Sequence, residues 1–423
     1  MTPQVLFQTV MVFFVLVSIH EWGHYYFAKR AGILVREFAI GFGPKLFSYK
    51  RGETRYTLRL LPIGGFVRMA GEDPETVEVA PGQTVALRLN KDQQVTHIFM
   101  DQLDQRSNTV QGVIHQIDMD RKLSLHLDVD GEEQHLKLHP QAMVVSKLKE
   151  TQIAPYDRQF GSKTVAQRSL AIFAGPLMNF ILAIVLFISY VFMSGLPVEN
   201  PQFVKIGSVE PTSVANGIVL PGDIVKSVNG ESIGGDRTKL VEMIAKSPAK
   251  KMDWIVIRDG KEVTLEVTPA RVKPENIGRV GIMVPVITRD ATISEAIGRG
   301  FTILKDSTVL IFDGFKKLIF GQFKFDDLGG PVRTFEVTGQ IAKTGLPQLI
   351  YWAGILSLYL GIFNLLPFPA LDGSRLVFLG VEAVRGRPVD PNRESMVHFI
   401  GFAMIMILML AVTYNDILRL FKS

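Results

Sequence analysis

His20 and His24 stand four residues apart, with Glu21 directly after the first, in Ser18-Ile19-His20-Glu21-Trp22-Gly23-His24. On a helix, positions i and i+4 share a face, so two imidazoles at this spacing can hold one metal ion between them. A glutamate beside the first histidine can stay off the metal and take a proton from the water the metal activates. That is the mechanical content of H-E-x-x-H. On a soluble helix the same two histidines can simply form a half-polar face. Here Val10 to Ile19 is almost unbroken hydrophobe and no charged side chain precedes Glu21. Ionisable residues at membrane depth are costly and mark functional sites by default, and three of them cluster in this segment.

A catalytic zinc takes three protein ligands and keeps one position open. The chain has no cysteine, so any zinc here uses histidine and carboxylate. Among the membrane segments the carboxylate that stands out is Asp372, in Asn364-Leu365-Leu366-Pro367-Phe368-Pro369-Ala370-Leu371-Asp372-Gly373. Two prolines spaced by one residue break the helix and leave extended backbone at membrane depth, which is tolerated only where protein or water surrounds it. Asp-Gly is also a common turn dipeptide, but the broken helix and a depth matching His24 favour a ligand. Glu21 is then the general base for attack on a peptide carbonyl. A substrate helix has its carbonyls tied up in i→i−4 bonds, so some element must pair with it in extended form. The sheet after Gly41, Asn179, Asn364 and the Pro367/Pro369 break are the candidates for positioning substrate.

These residues require apolar helices to carry them. The 423 residues are 47% hydrophobic, with the apolar excess concentrated in a few segments, as in a multipass membrane protein with soluble insertions. The net charge of +5 comes from dispersed cations and cations flanking apolar segments, a signal of membrane topology rather than nucleic-acid binding. The expected fold is a polytopic α-helical membrane protein with four transmembrane helices. Residues 1–34 form the first span with the histidine motif, ending at Lys29-Arg30. By the positive-inside tendency that end faces the cytoplasm, placing both termini outside the cell membrane. The N-terminus lacks a basic region and a cleavage pattern, so it is expected to stay attached.

Residues 35–71 read as β-hairpins with short runs at Glu37–Ile40, Leu46–Tyr49, Tyr56–Leu60 and Phe66–Met69, separated by Gly and Pro. They form either a sheet at the bilayer edge or an ordinary cytoplasmic hairpin module. Residues 72–165 are a polar, β-rich cytoplasmic insert, whose histidines (His97, His115, His126, His135 and His139) show no ligand spacing. Residues 166–196 form a second span carrying Gly175-Pro176 and Asn179, which also suit a kink and helix packing. Residues 273–346 contain an amphipathic stretch with Phe301, Leu304, Thr308, Ile311 and Phe315 at helical spacing. It is either an interfacial helix or a soluble core-facing one. Residues 347–386 form the third span with the proline break, and 387–423 the fourth span and tail.

Residues 197–272 are strand-rich. Leu220-Pro221-Gly222-Asp223-Ile224-Val225 and Val228-Asn229-Gly230 resemble a PDZ domain of bacterial envelope proteases, placed outside the membrane after two spans. That resemblance implies peptide binding by strand addition. Asn216-Gly217 departs from the usual Ala-Gly there.

His20-Glu21-Trp22-Gly23-His24, Gly175-Pro176-Leu177-Met178-Asn179 and Asn364 to Gly373, in this order around one PDZ-like module, resemble the site-2 protease family, in its bacterial RseP/RasP branch. The likeness extends to Arg36–Gly43 and Leu61–Asp73. It implies a zinc-dependent intramembrane metalloprotease with ligands His20, His24 and Asp372 and catalytic Glu21. It also implies single-span membrane substrates, notably trimmed anti-sigma factors and remnant signal peptides, with the PDZ region as a size filter. One module stands where a tandem pair occurs elsewhere, and Ser374 where a second glycine is frequent. The rival readings are an ion or metal transporter, which an internal repeat would support, and a non-catalytic PDZ scaffold, which would not need Glu21.

Overall fold

The computed structural model describes the backbone of all residues except 73–78, 147–148, 199–200, 273–274, 322–328 and 423. Asp73, the end of one of the stretches quoted above, lies outside the described residues. Two compact units emerge: residues 1–190 with 299–423, and residues 191–298.

Four helices among the described residues are long and apolar enough to cross a membrane. They lie in α1 (Pro3–Arg30), α2 (Val165–Ser194), α6 (Leu346–Asn364) and α8 (Pro391–Lys422). Thr2 caps α1 through its side-chain oxygen, Pro3 takes the first position, and Lys29 and Arg30 occupy the last turn, where cations complement the helix dipole. The α1 and α2 helices approach closely. A Cβ on Gly23 would stand 2.3 Å from the Ala174 carbonyl oxygen, and one on Gly175 would stand 2.2 Å from His24 Nε2. Small residues at a helix crossing permit that approach.

After α1, two long strands, β1 (Val35–Arg51) and β2 (Thr54–Met69), fold into a four-segment sheet. Residues 37–40 lie opposite both 65–68 and 55–58, while 47–51 lie opposite 54–58. The four short runs expected from the sequence are thus joined by bends within two continuous strands. Gly41 and Gly43 adopt φ of +87° and +86° at one bend, a region glycine reaches without steric cost. Residues 65–69 pair on one side alone among the described pairings and form an edge.

The insert is a sheet of β3 (Thr84–Leu89), β4 (Gln94–Phe99), β5 (Val110–Asp118), β6 (Ser124–Val129), β7 (Glu132–Ser146) and β8 (Lys149–Gln152). Its order is β4-β3-β5-β6-β7-β8, and a parallel β4–β7 pairing closes it around Val85, Leu87, Ile98, Ile114, Leu125 and Leu127. Asp130-Gly131 links β6 to β7 with φ of +53° and +90°, the two positive values a tight hairpin turn demands.

The second unit pairs residues 204–205, 224–228, 252–258 and 261–267 in that order, with α3 (Arg237–Ala245) and a core around Trp254. Asn229-Gly230 and Asp259-Gly260 make the expected turns, each with two positive φ values. The unit reaches past residue 272. Residues 277–279, 282–283 and 288–289 pair back onto 270–272, 208–209 and 196–197, because Val280 and Val284 complete its apolar core.

The amphipathic stretch is α4 (Ile293–Ile319). Ile303 and Ser307 are buried, whereas Phe301, counted on the expected apolar stripe, is exposed. The Phe315 ring stacks on Tyr359 and Phe363 of α6. The α5 helix (Pro331–Thr344) follows, its first turn held by Asp416 Oδ2 from α8, which accepts from the backbone N–H of Gly330 and Arg333. After α6 the chain breaks over residues 365–371 and restarts as α7 (Asp372–Arg385).

Candidate metal centre

His20 and His24 project from the buried face of α1, and Asp372 opens α7. The break in the third apolar segment delivers the carboxylate. Gly373 permits the tight turn, since a Cβ there would stand 2.3 Å from the Leu365 oxygen and 2.4 Å from the Leu366 oxygen. The three ligand-type atoms form a near-equilateral triangle. His20 Nε2 and His24 Nε2 are 3.2 Å apart, and Asp372 Oδ2 lies 3.3 Å and 3.4 Å from them respectively. Tetrahedral zinc with bonds of about 2.0–2.1 Å sets its ligand atoms roughly 3.3 Å apart. Asp372 Oδ2 is buried with no hydrogen-bond partner, an orphan acceptor that a cation would satisfy. Two imidazole nitrogens and one carboxylate oxygen are a donor set suited to zinc. The residues fit the group.

The α2 helix fixes both imidazoles from behind. His24 Nδ1 lies 2.9 Å from the Ala171 carbonyl oxygen. That bond puts the ring proton on Nδ1 and leaves the Nε2 lone pair for a metal. His20 Nδ1 lies 3.0 Å from the Asn179 amide, whose oxygen is otherwise without a partner. Nitrogen and oxygen of an amide are assigned from the network, and turning this one places the oxygen on His20 Nδ1–H. Positions 171, 175 and 179 are thus one stripe of α2: an acceptor for His24, a glycine for clearance, and an acceptor for His20. Pro176 lies inside this continuous helix and offers no N–H to the preceding turn.

Glu21 is buried and lines the same cavity of ≈ 380 Å³ as His20, His24 and Asp372. Gly65, Phe66, Val67, Arg68 and Met69 of the β2 edge line it too, and a Cβ on Gly65 would stand 2.8 Å from Glu21 Cγ. Asn364 lines the cavity with its amide donating to the Leu360 carbonyl. Asn179 is fully buried behind His20 and is not among the cavity's lining residues. Pro367 and Pro369 shape the loop and do not line the cavity either. The Ala171 carbonyl has no signature in the sequence, since a backbone acceptor has no residue type. The spacing Ala171-x₃-Gly175-x₃-Asn179, small and polar residues on one helical face, was the available clue. Glu72 and Arg375, an ion pair at the cavity wall, also escaped the sequence reading.

The insert holds a second grouping. His126 and His135 face each other across β6 and β7, and Glu133 Oε1 lies 3.5 Å from His126 Nδ1. The sequence spacing hid this cluster because cross-strand register creates it. Glu133 and His135 are exposed.

A glutamate beside two histidines on a helix apolar enough to cross a membrane, facing an aspartate just past the break after a second such helix, defines a zinc metallopeptidase housed among membrane helices. The sequence from residue 8 to 408 matches peptidase family M50. "Regulator of sigma-W protease RasP" from Bacillus subtilis is 45% identical over 97% of this chain and 98% of its own length. "Zinc metalloprotease RasP" from Geobacillus kaustophilus is 45% identical over 99% of each chain, and "Probable protease eep" from Enterococcus faecalis is 40% identical over 97% of this chain and 98% of its own. The chain belongs to peptidase family M50, the site-2 proteases, and is a zinc metalloprotease.

Proposed function

We propose that this protease hydrolyses peptide bonds in or near the transmembrane segments of single-span membrane proteins. The observation that carries the reading is the 3.2–3.4 Å triangle of His20, His24 and Asp372, which shares one cavity with Glu21 and the β2 edge. His20, His24 and Asp372 hold zinc, which supplies Lewis acidity toward a water and a carbonyl. Glu21 takes the proton of the attacking water on its carboxylate and returns it to the leaving amine. Residues 65–69 offer unpaired backbone groups to an extended substrate, replacing the helical bonds it gives up. Asn364 adds a polar side chain at the same wall. Asn179 serves as the orienter of His20 rather than as a substrate contact.

Anti-sigma factors already trimmed by another protease are the proposed main substrates, with remnant signal peptides a further class. The name of the Bacillus subtilis relative, a regulator of sigma-W, supports the first. The chain sits in the cell membrane with both termini outside and the β-rich insert inside. The second unit is a PDZ-like module outside the membrane that excludes untrimmed substrates.

The test is cleavage of a model single-span substrate by the purified chain in detergent. Glu21→Gln abolishes cleavage while keeping about one zinc per chain, as expected of a base that is not a ligand. Asp372→Ala lowers zinc content. Cleavage by Glu21→Gln, or full zinc in Asp372→Ala, overturns the assignment.

A further inference from the structure

The loop that delivers Asp372 can be accounted for bond by bond. Leu365 N–H donates to the Ile362 carbonyl, Leu366 N–H to Phe363, Phe368 N–H to Leu366 and Leu371 N–H to Phe368. Pro367 and Pro369 have no N–H to satisfy. That leaves Ala370, whose N–H is the one loop donor with a side-chain acceptor. It donates to His398 Nδ1 of α8 at 3.1 Å. Ala370 also has φ of +76°, the left-handed region that a residue with a Cβ enters at a cost. A strained, non-glycine residue two positions before a ligand persists when its surroundings hold it there.

The α8 helix provides that hold. The His398 ring meets Phe378 of α7 edge-on at 5.7 Å. Because Nδ1 accepts, the ring proton sits on Nε2, which faces Glu394 Oε1 at 3.7 Å. One turn further along, Gly401 leaves room for the loop. A Cβ there would stand 2.2 Å from Pro369 Cβ and 2.6 Å from its carbonyl oxygen. His398 and Gly401 therefore present a peg and a notch to Ala370 and Pro369.

We infer that His398 is a positioning residue for the metal centre: it holds Ala370 in its left-handed conformation and so sets the loop that places Asp372 opposite His20 and His24. The inference rests on Asp372 being a zinc ligand. Without His398 the part-buried Ala370 N–H loses its side-chain acceptor, and the residue relaxes toward negative φ. Asp372 then moves off the triangle.

The experiment uses the full chain in detergent and measures zinc affinity by competition with a chelator, kcat and KM on a model single-span substrate, and Tm. His398→Phe keeps the ring packing and loses the acceptor. Zinc affinity and kcat are expected to fall about tenfold, the size of a left-handed alanine's cost, with KM unchanged. His398→Asn, whose amide oxygen can occupy the place of Nδ1, restores both. So does Ala370→Gly added to His398→Phe, because glycine adopts positive φ unaided. A general loss of packing between α7 and α8 would not be repaired by that second change. Gly401→Ala, which leaves His398 in place and crowds Pro369, is expected to lower zinc affinity through the same loop and serves should His398→Phe fail to fold. Unchanged zinc affinity in His398→Phe, or no recovery on adding Ala370→Gly, overturns the inference. Asp372→Ala run in parallel separates the two levels. If it too retains zinc, the ligand assignment has failed; if it loses zinc while His398→Phe does not, the positioning role alone has failed.

Discussion

At the scale of single residues, two asparagines that look alike in the sequence have different surroundings. Asn179 is buried against His20 Nδ1, whereas Asn364 lines the cavity. Groups that orient a metal-bound histidine through its second nitrogen tune affinity for the metal, commonly by about 10–100-fold. Asn179→Ala is therefore expected to lower zinc affinity by roughly that range. Asn364→Ala is expected to keep zinc and slow cleavage of a substrate that must be unwound. Chelator competition and single-turnover cleavage on the two variants check the split. Equal zinc loss in both would place them in one role. The requirement for glycine at 175 has a similarly local reason, since His24 Nε2 occupies the space a side chain would need.

At the scale of elements, the sheet that borders the cavity is tied to the chain entering α2. Glu53, in the turn between β1 and β2, accepts from both guanidinium nitrogens of Arg158 at 2.7 Å, and Gln152 and Gln141 donate to the same carboxylate. The Arg158 hydrogen bonds, foremost, pull the Glu53 pKa down to about 2 from 4.5. A depressed folded-state pKa contributes stability that is fully present above the unfolded value. It is lost as pH falls through the folded value. Glu53→Gln is thus expected to lower Tm by a constant amount above about pH 5 and by a shrinking amount between about pH 4.5 and 2. Parallel thermal melts across that range test it, and a difference independent of pH would remove the ion pair from the account.

At the scale of the whole molecule, the proposed orientation puts Met1 outside and the insert inside, on the strength of Lys29, Arg30 and the cations that follow. The chain has no cysteine, so single introduced thiols report position without background. Thr2→Cys is expected to react in intact cells with a reagent that does not cross the membrane, and Lys91→Cys in the insert only after the cells are opened. The reverse pattern would invert the topology. Periodicity and hydropathy gave the four long apolar helices, and Asn-Gly and Asp-Gly gave hairpin turns, because both signals are local. The closure of the insert sheet by β4 on β7 is a pairing across forty residues or so of chain, and no local signal carries it. The second unit's extension to residue 289 escaped for the same reason.

The sequence by itself determined which chemical groups this protein could use: two imidazoles on one helical face, a glutamate between them, and a carboxylate after a double-proline break. Those are matters of residue type, i+4 spacing and the high cost of charge among apolar residues. Tertiary structure decided where each group stands. Contact between α1 and α2 assigns the Ala171 carbonyl and Asn179 to the two histidines, and the loop between α6 and α7 brings Asp372 within 3.4 Å of both. The peg and notch that α8 offers that loop lie near thirty residues further along the chain. Such roles depend on distances between segments remote in sequence, and distance is what a linear pattern does not contain.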